Sequence, residues 1–172
     1  MMANAGTREA WLRGTLQEIP AVHRAVLHSF AMAEEDLSRC CGELSLGEWN
    51  MRPGGVAAVA FHVRHIARSV DRLLTYAEGG SLTEEQTAKL ETEGAECTAI
   101  DNELAELRSA LENAARRVRT LIGEDLEAAR VVGRELLPTS LGGLLVHVAE
   151  HMQRHVGQAI TTAKLVRAAR AG

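Results

Sequence analysis

The stretch VAAVAFHVRHIARSVDRLLTYA, residues 56–77, decides the fold class. Its apolar side chains recur at spacings of four, three, four and three residues, through Val59, Val63, Ile66, Val70 and Leu73. Such spacing places them on one face of an α-helix, because the α-helix has 3.6 residues per turn. The sequence therefore predicts a long helix with a buried stripe over residues 56–77.

The same periodicity extends outward from this stretch, and no segment alternates in a strand rhythm. Ala, Leu, Arg and Glu fill the periodic segments, while Pro and Gly fall mainly at the joints. Pro20 suits the first turn of a helix better than its interior. The other predicted long helices run from near Thr7 or Pro20 to about Arg39, from about Ala99 to Ile122, and from Pro138, Thr139 or Ser140 to about Ala168.

Three connections separate these helices, and the last of them is a link over residues 123–137. Residues 41–55 are rich in glycine and are predicted to form a loop, with Trp49 covering the core. Residues 79–96 are acidic and flanked by glycine, so we expect the most mobile connection there, with a short helix over residues 83–90. Four long helices and one long connection predict an all-α protein, a four-helix bundle.

Composition limits the function classes. A chain of 172 residues with 46% hydrophobic residues fits a single domain over residues 1–172. A net charge of -4 with intermixed signs, and 3% aromatic residues, argue against nucleic-acid binding. No apolar stretch approaches a membrane span and no leader is visible, so we expect a cytoplasmic location without a membrane partner. Cys40, Cys41 and Cys97 form no disulfide or Cys-x-x-Cys pattern.

Histidines carry the clearest chemical signal. Three of the seven, His147, His151 and His155, recur every four residues on the last predicted helix. Neighbours at this spacing have Cβ atoms about 5–6 Å apart, so two imidazoles can bind one ion. Three in a row fit poorly, since His147 and His155 lie about 80° apart around the helix. One adjacent pair plus a ligand from another helix is the workable set.

The partner on the other helix is not decided by spacing alone. Both His62 and His65 flank the buried stripe of residues 56–77, and by angle His62 lies closer to its centre. Each histidine could instead have a purely structural role, in the core or on the surface. His23 and His28 are each expected to be a surface residue or a polar residue with satisfied hydrogen bonds.

Three motifs resemble one known family. The run HVAEHMQRHVGQ, residues 147–158, resembles the helix-four signature of the DinB/YfiT-like metalloenzyme superfamily, and FHVRHIARS, residues 61–69, resembles its helix-two signature. The run EWNMRPGG, residues 48–55, resembles the family's loop before helix two. This resemblance spans most of the chain. It implies an up-down-down-up bundle with a three-residue metal site near one end.

The resemblance also implies which histidines bind. It selects His65, before Ile-Ala, over His62, and it selects His151 and His155, the pair that ends just before Gly-Gln. His147 is then left as a residue that supports the site or packs in the core. Val156 stands where the family often has Arg, so no role of that Arg carries over.

The function implied is metal-dependent chemistry. Three neutral imidazoles favour Zn, Ni, Cu or Fe over Mg or Ca, with zinc and nickel the first candidates, and they leave open positions for a ligand. By resemblance the reaction is a transfer or isomerisation that uses a low-molecular-weight thiol and a small-molecule substrate, in a homodimer. The alternative is a non-catalytic metal-binding or stress-response protein.

Glu150, Gly157 and Gln158 lie close to these ligands in the sequence. Glu150 lies about 100° from His151 around the helix, so we expect it to face elsewhere. Gly157 suggests a close approach of a helix or substrate beside the site, and Gln158 is a candidate to orient a ligand. No catalytic acid or base is assigned.

Overall fold

The computed structural model describes residues 8–171, and the predicted all-α bundle is confirmed. Four long helices form it, accompanied by a small hairpin, two short α-helices and two 3-10 helices, Ala10–Leu12 and Pro53–Gly55. In chain order the elements are α1 (Ala21–Cys41), α2 (Leu46–Asn50), α3 (Val59–Ala77), α4 (Glu84–Glu91), α5 (Ile100–Thr120), β1 (Ala129–Val132), β2 (Leu137–Ser140) and α6 (Leu141–Ala171).

The direction of each long helix follows from the contacts between them. The Gln153 amide donates to the Ser29 carbonyl and the Arg167 guanidinium to the Cys40 carbonyl, so α6 runs parallel to α1. His62 faces His155 while His65 faces His151, so α3 runs antiparallel to α6. Arg64 pairs with Glu103 and Arg68 with Glu106, so α5 runs parallel to α3. The four long helices therefore run up, down, down and up.

The stripe of α3 lies at the centre of the bundle, as predicted, with one shift. Val59, Val63, Ile66 and Val70 are fully buried, but Leu74 rather than Leu73 completes the buried face. The stripe packs against α5 and α6. The last step of the buried face is therefore four residues, from Val70 to Leu74, instead of the predicted three.

The first helix begins after Pro20, which is the residue preceding α1. The alternative start at Thr7 lies outside the described residues. Within residues 41–55 the predicted loop contains the short helix α2, whose first turn is capped by the Ser45 and Glu48 side chains. Trp49 is completely buried as expected, and its indole N–H donates to the Cys41 carbonyl over 3.1 Å.

The link before α6 contains two short strands that the sequence pattern did not indicate. β1 and β2 pair antiparallel, with Ala129 opposite Ser140 and Val132 opposite Leu137. Each strand has only four residues and none of them is buried, so the sequence carries no alternation of apolar core residues with polar ones. The hairpin fills the predicted link before α6.

The connection over residues 79–96 is more firmly held than we expected. It contains α4, close to the predicted short helix, and the second half is bound by arginines of α3. Arg68 donates to the Lys89 carbonyl over 2.8 Å, and Arg64 donates to the carbonyls of Glu93 and Ala95. These bonds fix the backbone next to the histidines.

No helix within residues 8–171 is both long and apolar enough to cross a membrane. The longest helix, α6, carries the histidine run with its charged neighbours.

Candidate metal centre

Antiparallel packing of α3 and α6 brings three histidines together. His65 on α3 lies level with His151 and His155 on α6, and one side-chain nitrogen from each lies within 4.8 Å of the other two. The Nε2 atoms of His65 and His151 are 2.9 Å apart, and the ring centroids of His65 and His155 are 4.2 Å apart. The three residues are half-buried. The structure therefore assembles the same three histidines that the sequence analysis selected.

The remaining histidines do not join this group. His147 is exposed and bonds Glu150 on its own helix, so the option that it packs in the core was wrong. His23 and His28 are buried in α1: His28 lies within 3.2 Å of the Thr15 hydroxyl, whereas Nδ1 of His23 has no hydrogen-bond partner within the described residues. His28 is thus satisfied, as expected, but His23 is not fully so.

The donor set fits a transition metal ion. Two imidazole nitrogens bound at 2.0–2.1 Å to a tetrahedral ion lie about 3.3 Å apart, and the observed separations, from 2.9 Å to at most 4.8 Å, bracket this value. Imidazole nitrogens suit Zn, Ni, Cu and Fe better than Mg or Ca, which prefer oxygen. Three protein ligands leave coordination positions free for water or a substrate.

The electrostatics keep two of these imidazoles neutral. Burial, followed by the charges of the nearby His65 and His151 rings, lowers the pKa of His155 to about 4. Burial is also the main cause that lowers the pKa of His151, followed by the effect of His65. Neutral imidazole is the form that binds metal.

Glu93 is a site residue that sequence reasoning missed. Its Oε2 atom lies 2.6 Å from Nδ1 of His65, and its Oε1 accepts a 2.6 Å hydrogen bond from Arg72. Burial opposes ionisation of this carboxyl, but the bonds from His65 and Arg72 outweigh it and hold the Glu93 pKa below its ordinary value. When the carboxylate accepts from Nδ1–H of His65, Nε2 of that ring is left with its lone pair facing the centre.

One signal in the sequence pointed indirectly to Glu93. Arg64, Arg68 and Arg72 recur every four residues on α3, and a buried guanidinium needs an acidic or carbonyl partner. Arg64 and Arg72 are buried, at 4% and 9% exposure. Nothing in the sequence, however, indicated which of the many acidic residues would pair with them.

His62 supports the centre from the other side. Its ring is 4% exposed, and its Nδ1 lies 3.1 Å from Nδ1 of His155. Burial, reinforced by His65, lowers the pKa of His62 to about 4. When Nδ1–H of His155 donates to Nδ1 of His62, Nε2 of His155 keeps its lone pair for the centre.

Phe61 packs over the same rings. It stacks on His65 with centroids 5.4 Å apart and an angle of 16° between the planes, and it meets His155 edge-on at 6.4 Å. Phe61 is half-buried, so one side of its ring remains open to solvent. It forms an apolar wall beside the histidines.

Of the residues near the ligands in the sequence, Gly157 and Gln158 lie beside the site, whereas Glu150 and Val156 do not face it. Glu150 faces away as expected, since it is exposed and pairs with Arg154. Val156 is buried in the core. A Cβ added at Gly157 would meet no atom within 4 Å, so close approach of another helix is wrong, while Gly157 and Gln158 both line an open groove beside the site.

Comparison with known families bears on this geometry. A profile described as the DinB superfamily matches residues 29–159, which include the three histidines, Glu93, and most of all four long helices. The chain belongs to the DinB superfamily. No curated protein and no solved structure matches the chain significantly. In this DinB superfamily member the three converging histidines all lie within the matched residues.

Proposed function

We propose that this DinB superfamily protein binds one divalent transition metal ion through His65, His151 and His155 and is a metal-dependent transferase acting on a small molecule. The observation that carries the proposal is the convergence of three imidazoles from two antiparallel helices to within 4.8 Å. The buried Glu93 carboxylate, which holds His65 in one orientation, adds support, because such carboxylate–histidine pairs are typical of metal centres. Zinc and nickel are the first candidate ions.

A metal ion held there supplies Lewis acidity, which polarises a carbonyl or stabilises a thiolate. The chain's own residues orient the ligands and shape the surroundings. Glu93 keeps the Nδ1 proton on His65, and His62 fixes the ring of His155. Phe61 excludes water from one side of the centre by covering the His65 ring. A low-molecular-weight thiol is the proposed co-substrate, a role that rests on the family resemblance.

Metal content tests the first half of the proposal. Protein purified without a His tag should contain about one equivalent of Zn, Ni, Cu or Fe by inductively coupled plasma mass spectrometry. His151→Ala and His155→Ala should each lose most of it, while His147→Ala, four residues from His151 but exposed, should retain it. Metal below about a tenth of an equivalent in the wild type would sink the metal hypothesis. Retention by His155→Ala would sink the ligand assignment.

Turnover tests the second half. The metal-loaded protein should convert an electrophile in the presence of at least one thiol from a panel of glutathione, mycothiol and bacillithiol, with the EDTA-treated protein as control. His155→Ala should be inactive in the same assay. If no pair gives turnover above the metal-free protein, the alternative of a non-catalytic metal-binding protein is favoured.

The homodimer stays a prediction. Light scattering on the metal-loaded chain measures it directly, and a mass near 18.6 kDa would contradict it.

A further inference from the structure

An open groove of about 530 Å³ adjoins the candidate metal centre on the side of His62. One wall consists of Val56 and Ala57, which precede α3, and the other is formed by the second half of α6 around Gly157 and Leu165. Val56 and Leu165 are exposed at 42% and 45%. The groove thus offers apolar surface next to the histidine cluster, and its volume lies in the range of small-molecule sites.

The His62 side chain connects the groove to the histidine cluster. His62 lines the groove, and its Nδ1 contacts Nδ1 of His155 over 3.1 Å. The remaining ring nitrogen of His62, Nε2, has a hydrogen-bonding position to offer a ligand. A molecule in the groove would therefore reach the neighbourhood of the centre at one end.

Apart from the Gln158 amide and Nε2 of His62, the polar side chains of the groove bond to the protein itself within the described residues. The Thr162 hydroxyl donates to the Ala57 carbonyl over 3.2 Å, and the Thr161 hydroxyl donates to the Gly157 carbonyl over 2.9 Å. Arg154 is the one charged residue among the described residues of the lining, and it is paired with Glu150. Because Glu150 balances the charge of Arg154, the lining carries no net charge that would favour an ionic ligand.

Gly157 gives a second, independent indication. It lies in the interior of α6 with ordinary helical backbone, where glycine is the least favourable residue after proline. A Cβ built there meets no atom of the described chain within 4 Å, so no packing contact requires glycine. The space in front of it is the groove. Absence of a side chain at this position keeps the groove open.

We propose that this groove binds the uncharged, mainly apolar body of an organic substrate and directs a hydrogen-bonding group toward His62. The inference names the substrate class of the metal centre and rests on the proposed function for its role, although binding itself is measurable without turnover.

A pair of fluorescent probes tests the substrate class. N-phenyl-1-naphthylamine is neutral, and 8-anilino-1-naphthalenesulfonate is the same ring system with a sulfonate. The metal-loaded wild type should bind the neutral probe at least about tenfold more tightly than the anionic one, because the groove offers apolar walls without a free cation. Equal affinity, tighter binding of the sulfonate, or no binding of either would overturn the proposal.

Gly157→Leu locates the probe. The Cβ of a leucine there meets no atom within 4 Å, and leucine favours the helix, so the melting temperature and metal content should not fall. Affinity for the neutral probe should drop at least about tenfold, because the side chain occupies the groove. Unchanged affinity in a folded, metal-loaded Gly157→Leu protein would overturn the proposal.

Two exposed positions of α6 provide a matched pair if Gly157→Leu misfolds. Leu165→Glu places a charge in this groove and should weaken the neutral probe at least about fivefold. Val146→Glu places the same charge in a separate apolar groove between α1 and α6, and should change affinity less than about twofold. The reverse order would place the probe in the other groove and overturn the proposal.

The failures of the two proposals are distinguishable. Probe binding lost in Gly157→Leu, together with a wild type that holds no metal, would support the groove and contradict the metal centre. Metal retained with probe binding unaffected by Gly157→Leu would contradict the groove alone. Sedimentation is the final check: if wild type is a dimer and Leu165→Glu a monomer, a second copy covers the groove, and the substrate proposal is overturned.

Discussion

The Oε2 atom of Glu93 lies 2.6 Å from Nδ1 of His65, and both groups are shielded from bulk solvent. This contact joins the connection between α4 and α5 to the histidine cluster, and Arg72 completes it by donating to the other carboxylate oxygen. A buried acidic group with two charged or polar partners has a defined orientation. It therefore fixes the His65 ring before any ligand arrives.

Glu93→Gln should weaken zinc binding about 10- to 100-fold, because the amide lacks the charge that makes His65 a better donor. The measurement is a competition titration of metal-free protein against a chromophoric chelator. Glu91→Gln changes an exposed carboxylate in the same connection and should leave affinity unchanged. Equal affinities for the two variants would show that Glu93 serves only to neutralise Arg72.

Metal removal should lower thermal stability. An ion that binds only the folded state stabilises it by about 2.7 kcal/mol when its free concentration is about 100 times Kd. For a chain of this size that corresponds to a rise in Tm of about 5–10 °C. Differential scanning calorimetry with zinc or EDTA measures the difference. His151→Ala should melt at the same temperature in both buffers, and a wild type insensitive to EDTA would contradict the metal centre.

Leu74→Ala should destabilise the bundle far more than Leu73→Ala. Leu74 is completely buried, so its truncation leaves a cavity and costs about 2–5 kcal/mol. Leu73 is half-buried, and its truncation should cost less than about 2 kcal/mol. Chemical denaturation of both variants gives the two free energies of unfolding. Similar values would show that the helix is rotated relative to the structure described here.

The leucine pair illustrates what the sequence could predict. Periodicity identified α3 and four of its buried residues, since burial along one helix repeats with that helix's own turn. It did not decide between Leu73 and Leu74, because three- and four-residue steps are both compatible with 3.6 residues per turn. The choice depends on the neighbouring helices, which the local pattern does not contain.

The residues of the site also fall into those that a local pattern predicts and those that it does not. Spacing within one helix predicted an adjacent histidine pair that includes His151. The family resemblance was needed to choose His155 over His147, and also His65 over His62, since by angle alone His62 lies nearer the buried face. The structure explains this, because His62 is buried against His155 while His65 faces the centre. Glu93 and the hairpin escaped prediction for a common reason: each depends on pairing between segments that no local pattern encodes.

The adjacent cysteines provide a test that is independent of the metal. Burial, with a smaller contribution from Cys40, raises the pKa of the Cys41 thiol to about 12. At pH 8 only about one Cys41 in ten thousand is then a thiolate, the reactive form, and the side chain is completely buried as well. Cys97 is also buried, and burial raises its pKa, while Cys40 is partly exposed.

Native protein treated briefly with iodoacetamide at pH 8 should therefore be modified at Cys40, with Cys41 and Cys97 unmodified. Peptide mapping with fragmentation between residues 40 and 41 locates the label, and Cys40→Ser should give unlabelled native protein. In denaturant all three thiols should react at similar rates, because burial no longer raises the pKa of Cys41. Labelling of native Cys41 as fast as Cys40 would mean that the C-terminal turn of α1 opens readily and that Trp49 does not seal it.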